Sequence, residues 1–151
     1  MPDAALDECG FENADALILP GGDTWTETVH DPVLSRIEQC LEKGTLVAAI
    51  CGATFGLARK GLLDSRPHTS NDLEYLKMIC PNYGGEQYYE QVPAVTDGKL
   101  ITASVTASLE FSAHVLKALD VFSEKTLDAW YNLYHTQQPN YFNELLNSIQ
   151  Y

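Results

Sequence analysis

The sequence predicts an α/β protein with a mostly parallel sheet. Two short apolar runs, at residues 16–19 and 46–50, have the length and composition of buried strands. A stretch of helical periodicity lies between them, and a second one directly follows the run at 46–50. Strands that alternate with helices through short connections are typical of a parallel sheet.

The first strand-like run is followed by Pro20-Gly21-Gly22. A Pro-Gly-Gly sequence makes a tight turn and leaves backbone N–H groups facing a ligand. Asp23 and Trp25 come next, so Gly21, Asp23 and Trp25 are candidate pocket residues. Trp25 either covers this site or packs against the sheet, and the usual burial of tryptophan favours packing.

The first predicted helix begins with Asp31 as its N-cap and Pro32 as its first residue. Gly44 ends this helix at the position where glycine commonly terminates helices. Its apolar residues recur at helical spacing and predict that it covers one face of the sheet: Val33, Leu34, Ile37, Cys40 and Leu41.

The run at 46–50 leads directly into Cys51, and the small residues Gly52 and Ala53 follow before a helix that reaches about Lys60. A strand that ends at one reactive side chain and turns into a helix is typical of a nucleophile elbow. The positive end of the helix favours a thiolate at Cys51. The alternative is an inert cysteine at the end of a core strand.

Ligands of parallel sheets gather at the carboxyl ends of the strands. The pair Gly21-Gly22 and Cys51 both lie at such ends, so the topology brings two candidate elements of one site together. Further on, His68 lies in an extended piece, and the spacing of Asn71 and Glu74 predicts the capped start of a short helix.

The second half of the chain predicts a hairpin and then helices. Two strand-like runs, 87–95 and 99–103, flank an Asp-Gly turn. An amphipathic helix is predicted over 107–119, and two more over 123–151, separated at Gln138-Pro139. This C-terminal part is rich in aromatic residues, which favours packing or subunit contacts.

Composition limits the class of protein. A chain of 151 residues with 45% hydrophobic residues predicts a single domain with a real core. The formal net charge of −12 disfavours nucleic-acid and membrane-surface partners. No apolar run approaches the roughly 20 residues that span a bilayer. The acidic start has no signal or transit pattern, so we predict a cytoplasmic protein.

The four cysteines do not predict a metal site. They stand far apart, without a Cys-x-x-Cys pair and without a histidine at ligand spacing: Cys9, Cys40, Cys51 and Cys80. We therefore expect no metal and no cofactor, and free thiols in a reducing compartment.

The order of these motifs resembles the ThiJ/PfpI family of the class I glutamine amidotransferase-like superfamily. The matching segments are 15–22, 48–54, 69–70 and 97–103, and the resemblance covers roughly residues 13–120. It implies a flavodoxin-like, three-layer α/β sandwich, here a single domain over 1–151 with an extra helical tail from about residue 121. The stretch around His68 and the aromatic tail look like a bacterial branch described as intracellular proteases or amidases.

The resemblance also implies a site. Cys51 would be the nucleophile, and the backbone N–H groups of Gly22 and Gly52 would form an oxyanion hole. The substrate would be a small molecule or a peptide, and the protein would be a homodimer. Asn71 joins the candidate pocket residues, because it occupies a position at which some family members carry a histidine.

Two departures leave the general base open. Peptidase-type members carry a histidine directly after the nucleophile, where this chain has Gly52. Other members carry one at the position of Asn71. His68 is a candidate base, but three residues along an extended segment point its side chain the opposite way. The alternative is a loop histidine bonded to backbone or solvent.

A third departure concerns the start of the chain. Family members begin with a strand-helix-strand unit that supplies the central strand of the sheet and an acidic partner for the thiol. Because this sequence starts after that unit, we expect an N-terminally incomplete domain with a gap in its sheet, a gap filled by another copy, or an altered strand order.

Three functions fit the residues. The favoured one is a cysteine-dependent hydrolase of the amidase or peptidase type, or a glyoxalase-like enzyme, with Cys51 as nucleophile. The second is a non-enzymatic oxidative-stress sensor or chaperone-like protein in which Cys51 is a redox-active thiol. The third is a structural member in which Cys51 is a core residue.

Overall fold

The computed structural model describes residues 8, 10, 11 and 13–149. The strands are β1 (Ala16–Leu19), β2 (Leu46–Ile50), β3 (Ala94–Asp97) and β4 (Leu100–Ala103). The helices are α1 (Asp31–Glu42), α2 (Ala53–Arg59), α3 (Leu73–Ile79), α4 (Ser108–Ala118), α5 (Glu124–Thr136) and α6 (Asn140–Ser148). Short 3₁₀ turns lie at Thr28–His30 and Glu86–Tyr88.

The four strands form one continuous sheet in the order β1-β2-β4-β3. β1 runs parallel to β2 with Leu19 opposite Ala49, and β2 runs parallel to β4 with Ile50 opposite Ala103. β3 is antiparallel to β4. The mostly parallel sheet is therefore confirmed. Of the alternatives left open for the sheet, a central gap is contradicted for the described strands, because β1 pairs directly with β2.

The helices cover both faces of the sheet. On one face, Val47 and Ala49 of β2 pack with buried residues of the first three helices, such as Leu34, Leu57 and Leu76. On the other face, alternate residues of β2 and β4 pack against Phe111 of α4. Alternation along β2 thus buries both faces of a parallel strand, as the three-layer architecture requires.

The first helix ends as the sequence predicts, because Gly44 adopts a left-handed φ of +84° just after it. Its predicted start is wrong by one residue. Asp31 is the first residue of α1 and makes no capping hydrogen bond, and its carboxylate instead pairs with Arg59 at 2.6 Å. Asp31 thus joins the start of α1 to the end of α2.

Two further boundaries differ from prediction. The N-cap of α3 is Asp72, which accepts the Tyr75 N–H at 2.8 Å, and not Asn71. The strand predicted at 87–95 is shorter, because a 3₁₀ turn occupies its start and only Ala94 onward pairs with β4. An isolated parallel bridge joins His68 to Tyr89 instead.

The C-terminal part forms two helices, α5 and α6, separated near Pro139 as predicted. Gln137 ends α5 in a left-handed conformation with φ +58°, and Thr126 Oγ1 donates to the Ser148 carbonyl at 3.1 Å, which ties the end of α6 to the start of α5. Across the described residues, no helix is long and apolar enough to cross a membrane.

Candidate active site

Cys51 stands at the tip of a strand-to-helix elbow. Its φ is +59°, a left-handed conformation that costs a non-glycine residue about 1–3 kcal/mol. The Cys51 N–H donates to the Ala103 carbonyl at 3.0 Å, so the residue is anchored to β4. Its carbonyl accepts hydrogen bonds from the Thr54 N–H at 3.1 Å and the Thr54 hydroxyl at 2.6 Å. The side chain is partly exposed, as an elbow requires.

A buried hydroxyl pair connects the elbow to the loop opposite. Thr54 Oγ1 and Ser70 Oγ lie 2.6 Å apart, and both residues are almost fully buried. The Ser70 carbonyl in turn accepts the Tyr89 hydroxyl at 3.3 Å. These bonds fix the backbone immediately before Asn71 relative to Cys51.

Asn71 reaches the thiol. Its Nδ2 donates to the Sγ of Cys51 at 3.6 Å, and its Oδ1 accepts the Val105 N–H at 2.8 Å. A backbone N–H can bond only to the oxygen of an amide, so the Val105 contact decides which end of the amide is which. The donor end of Asn71 therefore faces the sulfur.

Two glycines, Gly21 and Gly52, let the Pro-Gly-Gly loop close onto the elbow. A Cβ on Gly21 would lie 2.9 Å from Cys51 Cβ and 3.4 Å from its Sγ. A Cβ on Gly52 would collide with the Gly22 carbonyl oxygen. The close contact between the two backbones thus requires glycine at position 52, which explains why no side chain follows Cys51 here.

Gly22 and Gly52 lie together beside Cys51. Within the described part of the chain, neither of their N–H groups donates to another backbone carbonyl. Free backbone donors next to a nucleophile are the chemical requirement of an oxyanion hole. The site thus combines a displayed thiol, one side-chain amide and two backbone donors.

Trp25 and Asp23 have different surroundings. The Trp25 indole packs against Gly56 of α2, where an added Cβ would lie 2.9 Å from its ring, and its Nε1 donates to the Pro20 carbonyl at 2.9 Å. Trp25 therefore braces the loop that carries Gly21 and Gly22. Asp23 is exposed in the turn that follows.

His68 is not brought to Cys51. It is fully buried, with Nδ1 2.7 Å from the Arg66 carbonyl and Nε2 2.6 Å from the Tyr83 hydroxyl. Burial lowers the pKa of His68, against the opposing effect of the Arg66 carbonyl. Burial also raises the pKa of Tyr83. Both ring nitrogens are thus engaged in a neutral core cluster.

The other described cysteines differ from Cys51. Cys40 and Cys80 are buried, and the Cys80 Sγ lies 3.5 Å from the Phe55 carbonyl. Burial raises the pKa of the Cys80 thiol. Over the residues with described placement, no group of three or more His, Cys, Asp or Glu side chains could hold a metal ion. Cys9 lies outside the described residues.

Sequence reasoning placed Asn71 in the pocket but missed its contact with the sulfur, and it missed the Thr54–Ser70 pair and Val105. The available signal was the run of small polar residues at 69–71, whose hydroxyl and amide groups bond to distant partners. Such partners are brought together only by the tertiary fold, so spacing along the chain does not reveal them.

Relatives and solved structures resemble this chain closely. It is 57% identical over 148 residues to the uncharacterized protease YoaZ of Bacillus subtilis strain 168, an overlap of 98% of this chain and 70% of that protein. It is 31% identical over 128 residues to the uncharacterized protease YdeA of the same organism, covering 82% of this chain and 64% of that protein.

Among solved structures, a thiJ/pfpI family protein from Bacillus anthracis has a TM-score of 0.94 and 59% identity, covering 98% of this chain and 70% of that one. The DJ-1 superfamily protein Atu0886 from Agrobacterium tumefaciens has a TM-score of 0.75 and 30% identity, covering 87% and 69% respectively. Residues 1–118 match the model of the DJ-1/PfpI family. The chain belongs to the DJ-1/PfpI family.

Proposed function

We propose that the chain is a cysteine-dependent hydrolase of the amidase or peptidase type, with Cys51 as its nucleophile. The observation that carries the proposal is the setting of the Cys51 thiol, which accepts the Asn71 amide and stands beside Gly22 and Gly52, whose N–H groups donate to no backbone carbonyl of the described residues. The protease names of the two Bacillus subtilis relatives support the same class of reaction. A glyoxalase-like reaction would use the same thiol on a small aldehyde.

The proposed reaction has two steps. The Cys51 thiolate forms a bond to the carbonyl carbon, and the developing oxyanion accepts hydrogen bonds from Gly22 and Gly52. The C–N bond then breaks, and the amine leaves with a proton from water. A second water hydrolyses the thioester and restores the thiol. One backbone donor of this kind is typically worth about 3–4 kcal/mol of barrier.

The proposed mechanism assigns His68 to the core and not to the thiol, because both of its ring nitrogens have other partners. In its place, the Asn71 amide stabilises the thiolate before the substrate arrives. A peptide or small amide substrate and a cytoplasmic location remain predictions.

A redox-active thiol is the second candidate function. The group within reach of the sulfur is an amide and not a histidine, and reversible oxidation of a thiolate to a sulfenic acid needs no base. Of the described cysteines, Cys51 is the one that is not buried. Oxidation by peroxide would therefore act on Cys51 before Cys40 or Cys80.

The homodimer is proposed to use the outer face of α6, defined as Phe142, Leu146 and Ile149. Their side chains are 52%, 55% and 41% exposed, although their spacing forms one apolar stripe. Two copies of a chain with a net charge of −12 repel each other electrostatically. This repulsion is weakest where the two surfaces that meet carry few acidic groups. α6 carries one charged residue, Glu144, so its apolar stripe suits a second copy placed by two-fold symmetry.

The test compares wild type with Cys51→Ser. We expect the wild type to hydrolyse amide substrates and the Cys51→Ser variant to lose at least about a hundredfold in rate, as loss of a nucleophile requires. Alkylation by iodoacetamide, located by mass spectrometry, reports the thiol separately. Equal amide and glyoxal turnover in both proteins would refute the hydrolase. Selective oxidation of Cys51 without any turnover would favour the redox function.

A further inference from the structure

A polar cavity of about 410 Å³ adjoins the elbow. Ser70 and Asn71 line one side, and Ser104, Thr106 and Glu110 line the side formed by the end of β4 and the start of α4. Its volume lies in the range of small-molecule sites, roughly 300–1,000 Å³. Asn71 lines the cavity and also contacts the Cys51 sulfur, so this side chain connects the cavity to the thiol.

The cavity carries one charge. Glu110 is the only charged residue among the described residues that line it, and no lysine, arginine or histidine does so. The Tyr131 hydroxyl donates to Glu110 Oε1 at 3.1 Å, which fixes the carboxylate. Its Oε2 receives no hydrogen bond from a described residue and remains able to accept one. Gln91 and the hydroxyls of Ser104 and Thr106 supply neutral polar partners.

We propose that this cavity is the substrate subsite of Cys51 and that Glu110 selects substrates with a positively charged amine. The inference rests on the proposed function, since it takes Cys51 as the attacking group. A substrate would extend from its carbonyl at the thiol, past Asn71, to an ammonium group at Glu110. Amides or peptides with a free amine are therefore favoured over those with a carboxylate or phosphate.

Two physical effects act in the same direction. An ammonium group at Glu110 would form a charge-assisted hydrogen bond to a carboxylate that is already held in place. The net charge of −12 adds a long-range attraction for cations and repels anions. An anionic substrate would find no positive side chain among the described cavity residues to offset this repulsion.

The experiment uses the thiol as reporter and needs no turnover. Three bromoacetamides with four-carbon tails ending in an ammonium, an acetamide or a carboxylate group alkylate Cys51, with a C–S bond forming as bromide leaves. Rate constants at Cys51 are measured at pH 7 by mass spectrometry. We expect the ammonium reagent to react about fivefold faster than the acetamide reagent, as for a partly exposed ion pair, and the carboxylate reagent to be slowest.

Two variants distinguish the effect of the Glu110 carboxylate from the effect of the net charge of the protein. Glu110→Gln keeps an oxygen for Tyr131 and should reduce the ammonium preference to the part that the net charge of the protein produces. Glu124→Gln is the matched control, because Glu124 is also an acidic residue in the first turn of a helix but does not line this cavity. Glu124→Gln should keep most of the wild-type preference for the ammonium reagent.

The outcomes distinguish the two proposals. Rapid alkylation by the acetamide reagent together with equal rates for all three reagents would overturn the subsite and leave the nucleophile intact. The same preference in the wild type and in Glu110→Gln would also overturn it. A Cys51 that reacts with the acetamide reagent no faster than an unfolded peptide does would count against the proposed function itself.

Discussion

The Asn71 side-chain amide contacts the Cys51 sulfur at 3.6 Å with its nitrogen while its oxygen holds the backbone N–H of Val105. The hydrogen bond from Val105 therefore fixes the orientation of the Asn71 amide, and the amide nitrogen faces the thiol. This arrangement lets the two functions of the amide be separated by substitution.

Asn71→Asp should slow alkylation of Cys51. The carboxylate can still accept the Val105 N–H, but it offers the sulfur no donor and repels a thiolate. Loss of a hydrogen bond to a charged group costs about 1.5–3 kcal/mol, so we expect a rate at pH 7 at least about tenfold lower. Rates of iodoacetamide labelling at Cys51, followed by mass spectrometry, provide the measurement.

The control for this substitution is Asn143→Asp, an equal change of charge at an exposed position on α6. Its labelling rate should match the wild type. An Asn71→Asp protein that labels at the wild-type rate would show that the amide does not stabilise the thiolate.

Gly52→Ala should destabilise the fold and disturb the elbow. Its Cβ would collide with the Gly22 carbonyl oxygen, so the Pro-Gly-Gly loop or the elbow must move. Overpacking of this kind costs about 1–3 kcal/mol. Urea denaturation measures the change, and the rate of Cys51 labelling reports the disturbance of the elbow.

Gly84→Ala is the matched control for the added methyl group. Its Cβ would meet the Asp64 side chain at 3.5 Å, an ordinary contact, and we expect a change in the free energy of unfolding within about 0.5 kcal/mol. If Gly52→Ala were as stable as Gly84→Ala, the close approach of the two backbones would not constrain position 52.

The stability of the protein should fall as pH falls from 7 to 5. Burial lowers the pKa of His68 in the folded protein, so the unfolded chain takes up its proton first, near the usual pKa of about 6.5. The free energy of unfolding therefore decreases as pH drops below about 6.5, until the lower folded pKa is reached. His114 acts in the same direction, since burial lowers its pKa too.

Urea denaturation at several pH values measures this slope, which is at most about 1.4 kcal/mol per pH unit for each histidine. His68→Gln should reduce the slope. A slope of equal size in His68→Gln would mean that His68 is protonated alike in both states.

Phe142→Glu should convert the proposed dimer into a monomer. The new carboxylate would lie at one end of the apolar stripe on α6 and would place a charge from each copy in the proposed interface. Sedimentation velocity at micromolar concentration measures the assembly state. Asn147→Glu, on another side of α6, should leave the dimer intact, and a monomeric wild type would contradict the proposal.

Local signals predicted much of the fold. Gly44 ends α1 because the chain needs a left-handed residue there, and the strand-to-helix turn at Cys51 follows from small residues after an apolar run. These features depend on neighbours in sequence, so the sequence reveals them. The prediction of Asp31 as an N-cap was wrong by one residue, and its carboxylate binds Arg59, which is distant in sequence.

The candidate site was less predictable for the same reason. Asn71 was expected to cap α3, but its oxygen bonds to Val105 and its nitrogen to Cys51, so Asp72 provides the cap. His68 is adjacent in sequence to this segment, yet Tyr83 and Arg66 engage it in the core. Which of several polar side chains faces the thiol is decided by partners that spacing alone does not identify.

The pairing of Cys51 with Ala103 has a consequence for biosynthesis. The backbone of Cys51 is anchored by β4, which leaves the ribosome long after β2. Contacts between segments so far apart in sequence form late and slowly. A nascent chain whose β4 has not yet emerged therefore lacks the hydrogen bond that anchors the Cys51 backbone, and the elbow is complete only when the sheet is.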